Sequence, residues 1–92
     1  MYEWDEEKNR ANQRKHGISF EVAARVFEDE DCIIAYDFVH SADEDRYIAI
    51  GRVNEVLFVV FTERRETIRL ISARMANERE RRLYYARELQ DT

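Results

Sequence analysis

The 92-residue chain contains no proline, two glycines, one cysteine and two lysines. Each shortage excludes something. With no proline, no low-complexity segment and no internal repeat, nothing reads as a linker, so short polar turns must join the elements of one domain spanning residues 1–92. A chain of this length builds one core with a thin margin of stability. The lone Cys32 cannot form a disulfide within the chain, gives no thiolate metal site, and at the head of an apolar run reads as a small buried hydrophobe. His16 and His40 have no partner at metal-ligand spacing, so no metal and no cofactor are expected. The longest apolar run, residues 56–61, is far below the roughly 20 residues that cross a bilayer. Met1-Tyr2-Glu3-Trp4-Asp5 is no secretory leader, and a cytoplasmic protein without membrane contact is the expectation.

What is abundant is charge, and above all arginine. Hydrophobic residues at 45% exclude simple disorder, while 38% charged residues put most of the surface in water. The net charge of −5 argues against a phosphate binder until it is divided along the chain. Residues 1–45 hold thirteen acids against five bases, and residues 46–92 hold ten bases against seven acids. Of the 15 basic residues all but Lys8 and Lys15 are arginine, the side chain that grips phosphate with a two-pronged fork.

The pattern of residues predicts α-α-β-β-β-β-α. Asp5 caps a helix over residues 6–16, acidic in its first turn and basic in its last, which Gly17 ends. Ser19 caps a second helix through Phe27 with Phe20, Ala23, Ala24 and Phe27 on one face. Strands follow over residues 32–38, 46–53, 56–63 and 67–73, with Asn54-Glu55 as a two-residue turn. Asn77 and Glu80 form a capping box for a last helix whose sheet-facing stripe is Ala76, Leu83 and Ala86. The expected architecture is α+β: two N-terminal helices, a four-stranded antiparallel sheet and a C-terminal helix, with part of one sheet face left free to bind.

Period-two alternation suggests a site on that face. Val60, Thr62 and Arg64 share one side of the third strand, and Leu70, Ser72 and Arg74 one side of the fourth, so each strand delivers a hydroxyl followed by an arginine. Paired side by side, they would converge on a phosphate, with Arg46 of the second strand assisting. His16, at a helix C-terminus beside Lys15, is a candidate general acid or a simple cap. His40, beside an acidic turn, reads as solvent-exposed, Tyr84 as the tyrosine that reaches the site, and Trp4 as a core anchor.

The order Tyr2-Glu3-Trp4-Asp5, Lys8, Asn12, Lys15-His16-Gly17-Ile18, Arg46-x-x-x-Ile50-Gly51, residues 57–62 followed by Arg64, and Ile68 to Arg74 with Ala76, Glu80, Arg81 and Tyr84, resembles the BrnT family of bacterial toxins. The resemblance implies a toxin of a type II toxin–antitoxin pair, a fold similar to the RelE superfamily, and a ribonuclease activity that stops translation and growth. It also implies a BrnA-like antitoxin that binds DNA, neutralises the toxin by contact and represses their operon. The expected partners are therefore RNA, on or off the ribosome, and that antitoxin, with DNA reached only through it.

The inventory fits metal-independent attack by a 2′-hydroxyl, which needs a base, fixed cations and an acid. Arg64 and Arg74 are assigned to the phosphate with Arg46 assisting, His16 to proton transfer, and Lys15, Thr62, Arg69, Ser72 and Tyr84 to substrate binding. The partner of His16 in proton transfer is not visible; a glutamate, an arginine or the ribosome could supply it. The rival reading is a non-catalytic module that binds a protein or a nucleic acid, whose mark would be an exposed aromatic or apolar patch.

Overall fold

A computed structural model describes residues 1–90. Along the chain run β1 (Tyr2–Glu3), α1 (Glu6–His16), α2 (Phe20–Ala23), a 3₁₀ segment (Ala24–Glu28), β2 (Ile33–Tyr36), β3 (Tyr47–Val53), β4 (Glu55–Arg64), β5 (Thr67–Met75) and α3 (Glu78–Gln90). The sheet order is β1-β5-β4-β3-β2.

This corrects the expected four-stranded antiparallel sheet with two N-terminal helices. Among the described residues there are three α-helices, and the sheet has five strands and is mixed, because β1 pairs parallel to β5 through Tyr2↔Ile68 and Glu3↔Arg69. Two residues are too few to show alternation, so β1 leaves no periodic trace in the sequence. The second helix also shortens, since residues 24–28 tighten into a 3₁₀ turn where the chain crosses β3.

The helix signals act as read at both ends of α1. Asp5 Oδ1 accepts the amides of Glu7 and Lys8, and Gly17 closes the helix at φ 73°, where a side chain would be strained. The N-terminal helices cover one face of the sheet. Ile18, Phe20, Ala23, Ala24 and Val26 bury against Ala49, Leu57, Val59, Phe61, Leu70 and Ala73. Trp4 anchors this core, edge-on to Phe20.

Gly51 permits the closest approach in this layer. A Cβ there would stand 2.9 Å from Val26 Cβ and 3.2 Å from Cys32 Sγ. Glycine is otherwise a poor strand residue, so contact wins over propensity. Gly51→Ala is expected to cost about 1–3 kcal/mol by levering the 3₁₀ segment off β3, measured as a lower urea midpoint.

On the other face, α3 rests at one corner, where Tyr84 and Ala76 bury against Ile50 and Val56. The capping box holds: Asn77 Oδ1 accepts the Glu80 amide and Glu80 Oε1 accepts the Asn77 amide, both at 2.8 Å. The expected stripe does not. Leu83 is 53% exposed and Ala86 is exposed, because the helix touches the sheet through Tyr84 instead. The rest of this face, including Ile48, Phe58, Val60, Ser72 and Arg74, stays half-open.

Candidate active site

The expected convergence of Arg64 and Arg74 is not what the strands produce. β4 and β5 are antiparallel, so the C-terminal ends of the two strands lie at opposite ends of the hairpin. Arg64 pairs with Thr67 beside the turn, whereas Arg74 pairs with Phe58, six residues back along β4 and about 20 Å away. A bulge also interrupts the register: Val60 faces Ser72 and Phe61 faces Leu70, leaving Ile71 over. Beyond it Arg69 shares a side with Thr62, although strict alternation had placed Arg69 opposite Arg74.

Arg74 is committed locally. Its Nη1 and Nη2 fork onto Glu80 at 2.8 and 2.9 Å, and its guanidinium lies 4.0 Å from the Phe58 ring centre. Glu80 lies below the usual carboxylate range: burial pushes it up, but the Arg74 fork, the Asn77 amide and the Arg74 charge outweigh that. Lys15 and His16 end α1 near the β3–β4 turn, where Gly17 shares a hollow with Asn54, Glu55 and Met75. They sit over the helical layer, across the sheet from Arg74.

At the other end of the sheet a different set comes together. His40, Ala42, Asp43, Glu44, Arg46 and Arg64 line a hollow of about 300 Å³. Its loop, residues 37–46, is braced at the base. The Asp37 amide donates to the Arg46 carbonyl at 2.9 Å, the Arg46 amide to Ser41 Oγ at 2.9 Å, and Tyr36 Oη to Asp45 Oδ1 at 2.8 Å. Thr62, almost wholly buried, donates to the Asp45 carbonyl at 2.6 Å, so its hydroxyl positions the loop.

Within the hollow His40 Nδ1 lies 2.9 Å from Asp37 Oδ2, which leaves Nε2 for a substrate. Arg64 Nη2 donates to Glu44 Oε2 at 2.9 Å, and about half of the Arg64 side chain is exposed. That hydrogen bond, with the charges of Arg64, Arg46 and Arg69, holds the Glu44 carboxyl below its usual range against the upward push of burial. Arg69 is tied to Glu3 at 2.7 Å. The structure thus gathers Arg46 and Arg64 in one hollow with Arg69 close in charge, and leaves His16, Lys15, Ser72, Arg74 and Tyr84 elsewhere. His40 and Glu44 line that hollow too, outside the set read from the sequence; the spacing Asp37-x-x-His40, which lets the carboxylate meet the ring, was the available signal.

Tyr84 serves a second cleft of about 430 Å³, shared with Arg25, Asp29 and Arg52. Its hydroxyl donates to Asp29 Oδ2 at 2.6 Å, and the same oxygen accepts the Arg52 amide at 2.7 Å. Burial pushes the Asp29 carboxyl up, but these bonds, the Asp31 amide and the Arg52 charge bring it below its ordinary value. A carboxyl lowered on folding stabilises fully above its unfolded value of about 4 and ceases to as pH falls through its folded value. Tyr84→Phe should therefore lower the melting temperature more at pH 7 than at pH 3. An equal loss at both would show that the bond does not select the carboxylate. Cys32, nearby, has its thiol pushed up to about 11 by burial and the Asp29 charge, so it is no nucleophile at neutral pH.

Among the described residues no group of three or more His, Cys, Asp or Glu is placed to hold a metal ion, and no helix is long and apolar enough to cross a membrane. Residues 4–80 match the family model of the ribonuclease toxin BrnT of type II toxin–antitoxin systems. The chain belongs to the BrnT family. The 1.1 Å crystal structure of the Brucella abortus ribonuclease toxin BrnT is similar to it, with a TM-score of 0.66 and 28% identity, over 85% of this chain and 99% of that one. A comparison with curated proteins finds no match. As a BrnT-family ribonuclease toxin of a type II system, the chain has RNA as its substrate class and an antitoxin as its partner.

Proposed function

We propose that this BrnT-family chain cuts RNA without a metal at the hollow formed by His40, Glu44, Arg46 and Arg64. The observation that carries the reading is the placement of a histidine oriented by a carboxylate, a glutamate paired with Arg64, and two guanidiniums around one opening of about 300 Å³. Arg46 and Arg64 hold the phosphate and stabilise the charge that builds on its oxygens. Glu44 takes the proton from the 2′-hydroxyl, the 2′-oxygen attacks phosphorus, and His40 gives a proton to the leaving 5′-oxygen. The products are a 2′,3′-cyclic phosphate and a free 5′-hydroxyl. Arg74 on its Phe58 platform, with Ser72 beside it, lies on the same open face and offers a neighbouring nucleotide a planar surface.

In the cell this activity would remove messenger RNA, whether free or on the ribosome, and so arrest translation and growth in the cytoplasm. A BrnA-like, DNA-binding antitoxin would restrain it, and only through that antitoxin would the toxin meet DNA. The RelE-like character of the fold belongs to the same reading.

The test is a cleavage assay in a chelator. Purified toxin should cut RNA at an undiminished rate in EDTA and leave 2′,3′-cyclic phosphate ends. His40→Ala should lower the rate by roughly 10²–10⁴-fold, while His16→Ala should leave it unchanged. Cleavage lost on chelation, or products with 3′-hydroxyl ends, would overturn the proposal.

A further inference from the structure

We infer that the open edge of β2 receives the antitoxin as an extended apolar segment with basic flanks, which joins the sheet as a further strand and covers the hollow. The inference rests on the reading above and adds where the restraint is applied and by what contact.

The two edges of the sheet differ. On the β5 side, β1 pairs with Ile68 and Arg69, and past it the Asn12 side chain takes both backbone groups of Ala73, donating to its carbonyl at 2.8 Å and accepting its amide at 3.1 Å. The edge of β5 is thus covered, and the sheet ends on that side in the two-residue β1. β2 pairs with β3 on one side and, among the described residues, with no strand on the other. Because the Asp37 amide donates to the Arg46 carbonyl, alternation turns the backbone of Ile33 and Ala35 towards β3 and that of Ile34 and Tyr36 outwards.

Proteins usually guard such an edge with lysine, proline, a bulge or a covering loop. β2 reads Ile-Ile-Ala-Tyr and carries none of the first three. Ile34 is 51% exposed, and Phe38 and Val39, just beyond the strand, are 84% and 83% exposed. Large apolar side chains beside a bare strand edge suit a partner that supplies both backbone hydrogen bonds and side chains for alternate pockets.

Charge selects the partner. Glu28, Asp29, Glu30 and Asp31 precede the strand, and Asp43, Glu44 and Asp45 follow it. A second copy laid edge to edge would set acids against acids, whereas a basic-flanked segment meets them favourably. Phe38 and Val39 lead directly into His40, so a strand running past Tyr36 lies over the mouth of the hollow and keeps RNA out.

Hydrogen exchange of the whole toxin, free and bound to the antitoxin encoded beside it, tests this. The Ile34 and Tyr36 amides should slow by roughly tenfold or more in the complex, while those of Ile33 and Ala35, already bonded to β3, change little. Ile34→Pro removes only the outward N–H, so it should weaken the complex by roughly tenfold and leave RNA cleavage by the free toxin within about twofold. Phe38→Asp, which leaves the backbone intact, should also weaken the complex.

Unchanged exchange at Ile34 and Tyr36 in a complex that inhibits cleavage would overturn the inference. So would slowing in the free toxin as its concentration rises, which marks self-association, or slowing with 2′-deoxy-substituted RNA alone, which marks the edge as an RNA contact. A wild-type toxin that cuts no RNA would instead refute the reading of the hollow, and the exchange result would judge the edge independently.

Discussion

Arg64→Ala is expected to cleave RNA roughly 10²–10³-fold more slowly than the wild type while melting within a few degrees of it. The two halves of this expectation have separate causes. Arg64 ends β4, its side chain is about half exposed, and its described ion pair is the single contact with Glu44. Exposed pairs of this kind contribute little to folding, because water and salt screen them. The guanidinium has five N–H donors and the Glu44 contact uses one, so a phosphate can be gripped without undoing the pair. In the transition state a second negative charge gathers on the phosphate oxygens, and a donor already in place meets it without reorganisation. Arg64→Lys keeps the charge and loses the fork, and should fall between the two. Arg46→Ala should act on the same phosphate, so its effect and that of Arg64→Ala should combine to less than their product. An unaltered rate in purified Arg64→Ala would remove the phosphate from this hollow.

Asn12→Ala is expected to cost about 3 kcal/mol or more, a large part of the 5–15 kcal/mol that holds a domain together. Its side chain makes three buried hydrogen bonds: Nδ2 donates to the Ile18 carbonyl at 2.9 Å and to the Ala73 carbonyl at 2.8 Å, and Oδ1 accepts the Ala73 amide at 3.1 Å. Truncation strands backbone groups that no water can easily reach, and it unfastens α1 from the edge of β5. Asn12→Asp should fare no better, since a carboxylate would face two carbonyl oxygens. Asn9 does related work one turn earlier, accepting the Phe20 amide at 2.8 Å and donating to Glu21 at 2.8 Å, so the pair ties α1 to both α2 and the sheet. The measurement is urea unfolding, where the midpoint should fall with little change in slope. A loss below about 1 kcal/mol would mean that these groups find other partners.

Local chemistry was legible where it is written within a few residues. Asp5, Gly17 and the Asn77–Glu80 box end their helices as their side chains dictate, and β3 to β5 follow from runs of β-branched and aromatic residues. What escaped depends on partners distant in the chain. Tyr2 and Glu3 become a strand only because β5 lies beside them. The bulge at Ile71 has no composition of its own, yet it moves Arg69 to the other side. The Arg65–Glu66 turn takes φ values of 51° and 66° without a glycine, so the usual turn residues were absent. Leu83 and Ala86 looked like a core stripe, but α3 meets the sheet only at a corner, where Tyr84 fills the space.

The proposed site was legible as a residue type and not as a place. That arginine serves phosphate follows from its chemistry, and Arg46 and Arg64 do share one opening. Arg64 and Arg74 stay apart because successive antiparallel strands finish at opposite ends of their hairpin. His40 is exposed, as its place beside an acidic turn leads one to expect, and exposure alone does not show what it adjoins. Its bond to Asp37 and its seat beside Arg46 appear only once residues 37–46 fold back over the sheet.

The measurement that bears most directly on the site is the change in backbone amide shifts when a short 2′-deoxy-substituted RNA, which cannot be cut, is titrated into the labelled toxin. The largest changes should fall on His40, residues 43–46 and Arg64, and should be lost in Arg64→Ala. Changes confined to Lys15, His16 and Gly17, with residues 40–46 and Arg64 unmoved, would contradict the assignment of the hollow as the place where RNA is held and cut.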